Sequence, residues 1–187
     1  MPSINPLLQK RWSPISFTDR MLTDEEIETL FEAARWAPSS FNEQPWRYVY
    51  ARKNDGEKRE KLESLLSEGN AWSKKAPLLV MSVAKLTFTK NGKPNRHAQH
   101  DNGSAMENMF LQAASMGLFG HGMAGWDTAK AMEIFQIGDG YEPLTMMAFG
   151  EHNPTPTDPA AKEREAKPRT RKEQSEFVFH GEWKEMN

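Results

Sequence analysis

Ala37-Pro38-Ser39-Ser40-Phe41-Asn42-Glu43-Gln44-Pro45-Trp46 is the stretch whose reading decides the rest of this chain. A helix arrives at Pro38 and a strand leaves from Arg47. Between them lie the hydroxyls of Ser39 and Ser40, the amides of Asn42 and Gln44, and the prolines Pro38 and Pro45. Short polar side chains at such a junction can aim donors and acceptors at a ligand, and the prolines narrow what the backbone can do. Taken alone, the stretch also reads as a well-capped turn anchored by Trp46.

Its flanks are strongly patterned. Upstream, Thr23-Asp24-Glu25-Glu26 is a capping box. Ile27, Leu30, Phe31 and Ala34 follow on one helix face. That helix should end near Trp36, because Pro38 biases Ala37 out of the helical region. Earlier still, Leu7 to Phe17 reads as a short helix or turn carrying Arg11, Trp12, Ser13 and Ile15. By itself Arg11 reads as a solvated charge. Downstream, Tyr48-Val49-Tyr50 reads as a strand.

The next segments predict a layered fold. Glu57 to Glu68 reads as a charged helix with Leu62, Leu65 and Leu66 inward and Gly69 as its stop; Asn70 and Trp72 follow. Pro77 to Ala84 is mostly apolar and of strand length, as a central strand buried on both faces would be. His97 and His100 stand at i and i+3, but no clear third ligand accompanies them. A hydrated helix start, with Asp101 at its positive end, fits them better, and no metal is expected. Gly103 to Met116 predicts a long helix, apolar on most sides, that must be buried in a core or an interface.

Gly120 to Asp127, which includes Met123, Ala124 and Gly125, reads as a Gly-rich loop into a helix capped by Asp127. Leu144 to Phe149 reads as a strand ended by Gly150. Glu151 to Ala166 reads as an exposed linker. Lys167 to Lys172, with Arg169 and Arg171, is a basic cluster whose plain reading is a solvated or nucleic-acid-facing patch. Phe177-Val178-Phe179 is strand-like at the end of the chain and needs a sheet to join.

The length of 187 residues suits one domain, or one protomer of an intertwined oligomer. Lys plus Arg number 24 and Asp plus Glu 26, a net charge of −2 that offers no general attraction for nucleic acid or anionic membrane. There is no cysteine, so disulfides, thiolate nucleophiles and Cys-ligated metals are excluded. Met1-Pro2-Ser3-Ile4-Asn5-Pro6 has no apolar signal region, and no run of about 18 apolar residues exists. A cytoplasmic protein is the expectation.

The string A-P-S-S-x-N-x-Q-P-W at Ala37–Trp46 resembles the flavin-site loop of the FMN-dependent nitroreductase family. Other motifs are similar to that family in the same order. They are the R-x-S of Arg11 and Ser13, the D-x-G-x-A-x-x-N of Asp101, Gly103, Ala105 and Asn108, the loop at Gly125, and the [KR]-x-R of Arg169 and Arg171. The resemblance implies an α+β fold, a mixed central sheet flanked by helices, built as an intertwined homodimer with FMN at the interface. It implies one domain over 1–187, with 151–187 an extended tail wrapping the partner. The implied activity carries hydride from NAD(P)H through FMN to a nitroaromatic, quinone or related small acceptor.

The resemblance also places Arg11, Ser13, Arg169 and Arg171 at the FMN phosphate. Trp12, Ile15, Pro38, Ser39, Ser40, Asn42, Gln44, Asn70, Met123 and Ala124 complete the cofactor-binding set, with the Gly125 backbone N–H near flavin N5. No side chain is implied as general acid or nucleophile. Ile15 stands where many members carry a basic residue, and Ala124 where many carry Glu. Two alternatives stay open: a non-catalytic FMN-binding protein, and a specialised branch acting on flavin itself or on halogenated aromatics.

Overall fold

The computed structural model describes residues 3–184. Its centre is a four-stranded sheet in the spatial order Trp46–Arg52 (β1), Leu78–Lys85 (β2), Tyr141–Glu151 (β4), Leu118–Met123 (β3). Every pairing among the described residues is antiparallel. β2 is buried from Leu78 through Ala84, as its unbroken apolar run predicts. Alternate side chains of a strand point to opposite faces. Leu78 and Val80 therefore meet one core, shared with Met147 and Phe149 of the neighbouring strand β4. Leu79, Met81 and Val83 enter another, with Met146 and Ala148.

The first core is closed by two helices. Helix α2 (Asp24–Arg35) begins with the expected capping box, in which Glu26 N–H donates to Thr23 Oγ1 and Thr23 N–H to the Glu26 carboxylate. It buries Ile27, Leu30 and Ala34 and ends at Trp36. Helix α4 (Ala98–Ser115) lies against it through Ala105, Met109, Phe110 and Ala113. The second core is covered by α3 (Glu57–Glu63), α5 (Thr128–Ile134) and a 3-10 segment, Glu68–Lys75. Asp127 caps α5 through Lys130 N–H, as expected. A short α1 (Pro6–Lys10) precedes them all, capped by Asn5.

Several elements differ from the sequence expectation. The Gly-rich run is strand as far as Met123. A Cβ at Gly120 would lie 2.4 Å from the Phe110 ring and 2.6 Å from that of Phe149, so this glycine makes room for core aromatics inside β3. Helix α4 starts at Ala98, ahead of Gly103, and Asp101 in its first turn is buried rather than hydrated. Helix α3 stops at Glu63, and turns bring Leu65 into the core. The expected linker Glu151–Ala166 contains α6 (Pro159–Ala166), which starts with Asp158 capping Ala160 N–H and Pro159 in the first turn. Strand β4 continues past Gly150 to Glu151. Phe177 and Val178 lie in no strand and are 60% exposed.

Candidate functional site

The chain turns out of α1 at Arg11 and runs extended past the end of α6. Arg169 reaches across 158 residues of sequence. Its Nη1 donates to the Arg11 carbonyl at 2.9 Å and its Nη2 to the Gln9 carbonyl at 2.7 Å. These are carbonyls at the end of α1, which have no partner within the helix. The two segments together line a cavity of about 690 Å³. Arg11, Trp12 and Ser13 of one segment and Arg169 and Arg171 of the other are in its lining. Four of the residues expected at a phosphate therefore meet in one place.

The cavity is more cationic than the sequence motifs suggest. Lys10, Arg164 and Lys167 line it as well. Glu165 is the acid in its lining, and its carboxylate is occupied by bonds from Ile15, Ser16 and His152. Arg11 keeps a loose pairing, 3.8 Å from Glu107. Clustered guanidinium groups with a hydroxyl suit a phosphate dianion, since each charged hydrogen bond contributes about 1.5–3 kcal/mol. Arg164 and Glu165 escaped the sequence reading because the stretch around them reads as a linker. The Asp158-Pro159 helix start was the signal that could have revealed it.

A second group of expected residues gathers around Gly125. Asn70 Nδ2 donates to the Gly125 carbonyl at 2.8 Å. A Cβ at Gly125 would come within 2.8 Å of Ser67 Oγ and 3.0 Å of Asn70 Nδ2, so a side chain there would crowd this contact. Ala124 is exposed next to it, whereas the Met123 side chain is 2% exposed and belongs to the core. Any contact of Met123 with a ligand is therefore through its backbone. His121 of β3 ties this group to the first, because its Nδ1 lies 2.9 Å from the Pro14 carbonyl and so donates to it. Burial pushes the His121 imidazole pKa down, which favours the neutral ring. Trp72 packs on that ring at 4.6 Å. Ile15 faces a separate cavity of about 190 Å³, which Trp72 also lines.

The Pro38–Gln44 loop sits elsewhere. Ser40 N–H donates to the buried Asp101 carboxylate at 2.9 Å, and Gln44 N–H to Ser39 Oγ at 3.0 Å. Glu43 accepts from Thr89 and Lys85. Phe41, Asn42 and Gln44 all have positive φ, at 53°, 56° and 52°. Such left-handed conformations are uncommon outside glycine and cluster at ligand sites. Pro38 and Asn42 are exposed and Phe41 is 93% exposed. None of the loop's hydrogen bonds within the described chain reaches the cationic cavity. The two histidines are held at the start of α4, with His97 accepting from Arg96 and His100 3.3 Å from Asp101.

This fold and this set of residues define a helix-flanked α+β protein with a cavity lined by cationic side chains. The chain matches the model of the nitroreductase family over residues 8–85 and 67–151, and it belongs to that family. Protein DrgA of Synechocystis is 31% identical over 179 residues, covering 81% of this chain and 84% of that one. A Streptomyces griseus protein carrying the name NADH dehydrogenase/NAD(P)H nitroreductase is 25% identical over 156 residues, covering 73% of this chain and 78% of its own. A crystal structure described as an oxidoreductase containing FMN superposes with a TM-score of 0.89 at 32% identity. It covers 98% of this chain and 94% of that one. No helix among the described residues is long and apolar enough to cross a membrane.

Proposed function

We propose that this nitroreductase-family chain is an NAD(P)H-dependent FMN oxidoreductase acting on a nitroaromatic, quinone or related small acceptor. The observation that carries the reading is the cavity that Arg11, Ser13, Arg169 and Arg171 line together. Those residues fit the phosphate end of FMN in charge and in donor type. Asn70 and Gly125 are the polar groups set to contact the ring, and the Gly125 carbonyl is held in place by Asn70 and Ser67 N–H. FMN, when bound, supplies the ability to accept and release a hydride equivalent, and the protein supplies binding and orientation.

The working form is a homodimer, with each chain a single domain. The Pro38–Gln44 loop presents Asn42 outward, so it meets a flavin only where a second copy brings it to a cavity. The tail supports the same reading. Phe177, Val178 and Trp183, at 60%, 60% and 84% exposure, form an apolar segment that a partner would cover. Because α6 and Arg169 pack on their own chain, the segment that crosses begins beyond Arg171 rather than at Glu151.

The test is direct. The purified protein should be yellow, and it should oxidise NADH or NADPH with menadione or a nitrofuran as acceptor. Bound flavin without turnover would instead mark a flavin-binding module, and a colourless protein that takes up no FMN would reject the reading.

A further inference from the structure

We propose that Glu165 is a positioning residue of the cofactor cavity: from α6 it locks the Ile15–Ser16 backbone, and so sets the spacing between the Arg11–Ser13 segment and the Arg169–Arg171 segment that line it. The proposal rests on the FMN reading above and adds a residue whose carboxylate is taken up by the chain's own donors.

The geometry is that of a saturated carboxylate. Glu165 Oε1 accepts from Ile15 N–H at 2.7 Å and Ser16 N–H at 2.9 Å. Oε2 accepts from Ser16 Oγ at 2.6 Å and lies 3.1 Å from His152 Nε2. The side chain is only 9% exposed. His152 is itself packed edge-on against Trp12, with ring centroids 4.9 Å apart, so the lock reaches a residue that lines the cavity. Main-chain bonds from Asn153 N–H to Ser16 O and from Thr18 N–H to Glu151 O hold the same segment against the end of β4.

The consequence for the cavity is mechanical and electrostatic. Two residues after Ser13 the backbone is fixed, and four residues before Arg169 the chain is fixed by the same carboxylate. Removing it leaves two neighbouring backbone donors without their acceptor, and buried unpaired donors are costly. Because both carboxylate oxygens are engaged by Ile15, Ser16 and His152, the acid pairs with none of the cavity cations. Burial alone pushes the Glu165 pKa up, but the bonds from Ser16, Ile15 and His152 outweigh it, and the carboxyl stays below its ordinary range. The group is thus the ionised, acceptor-only species that four donors require.

The proposal predicts a loss confined to ligands that carry a phosphate. Full-length protein stripped of flavin would be titrated by fluorescence with FMN and with riboflavin, which lacks the phosphate. Glu165→Ala should weaken FMN by about tenfold or more, the scale of one charged hydrogen bond, and leave riboflavin affinity unchanged. Glu165→Gln can still accept from Ile15 and Ser16, so it should recover part of the FMN affinity. It also keeps the test available if the alanine variant does not fold, since its FMN affinity should still fall below wild type. FMN affinity unchanged in either variant, or equal losses for both ligands, would overturn the proposal. Wild-type protein that binds riboflavin as tightly as FMN would overturn the cofactor reading and the proposal together, whereas a wild-type preference for FMN that is undiminished in Glu165→Ala overturns the proposal alone.

Discussion

The Pro38–Gln44 loop and the Arg11–Ser16 segment both carry residues expected at the cofactor, yet the molecule builds them differently. The loop is a contiguous string with three left-handed residues, pinned by Asp101 and Glu43 and turned outward. The segment is plain extended chain, and its meaning comes from Arg169 and Glu165, about 150 positions away. Both are held by a buried carboxylate on a helix: Asp101 for the loop, Glu165 for the segment. The difference shows that a loud local motif can mark half of a site whose other half is scattered. In the proposed dimer, a second copy of the chain joins the halves.

The largest expected effect comes from breaking that join. Truncation after Lys172 removes Phe177, Val178 and Trp183, which on a partner would bury several hundred Å², or several kcal/mol at about 25 cal/mol per Å² before ordering costs. Sedimentation velocity should show a loosened dimer, and flavin absorbance should fall with it. A truncated protein that stays dimeric with full flavin would mean that the two regions are joined without the tail.

Next in size is the cavity itself. Arg11→Ala or Arg171→Ala should weaken FMN by about tenfold or more, at 1.5–3 kcal/mol per charged bond. Unchanged affinity in both variants would detach the Arg11 segment from the cofactor and leave the loop as the site.

Acid should act on the segment through Glu165. Its folded-state pKa lies below the ordinary 4.5, so its contribution to stability is complete above that value and is lost as pH falls through the lowered one. Thermal melts of Glu165→Gln should therefore fall less steeply on acidification than those of wild type. Parallel acid limbs would show that other carboxylates dominate.

The smallest expected effect is in the loop. Phe41 is exposed and holds φ of 53°, a conformation that asparagine tolerates better than phenylalanine. Phe41→Asn should raise stability by about 1 kcal/mol, or about 2–4 °C in Tm for a chain of this size. A fall in Tm would show that the Phe41 contact with Phe88, at 5.8 Å between ring centroids, outweighs the strain.

By itself the sequence determined whatever rests on short-range physics. The capping box at Thr23, the burial of β2 and the Asp127 cap are all set by neighbouring residues or by period. Only the tertiary structure decided that Gly120 lies in a strand, because the reason is the pair of aromatic rings packed over it. It likewise decided that Asp101 is a buried anchor and that α6 folds back to place Glu165 under the cavity. Those roles depend on burial and on hydrogen bonds between distant segments, and such pairings leave no mark in local composition.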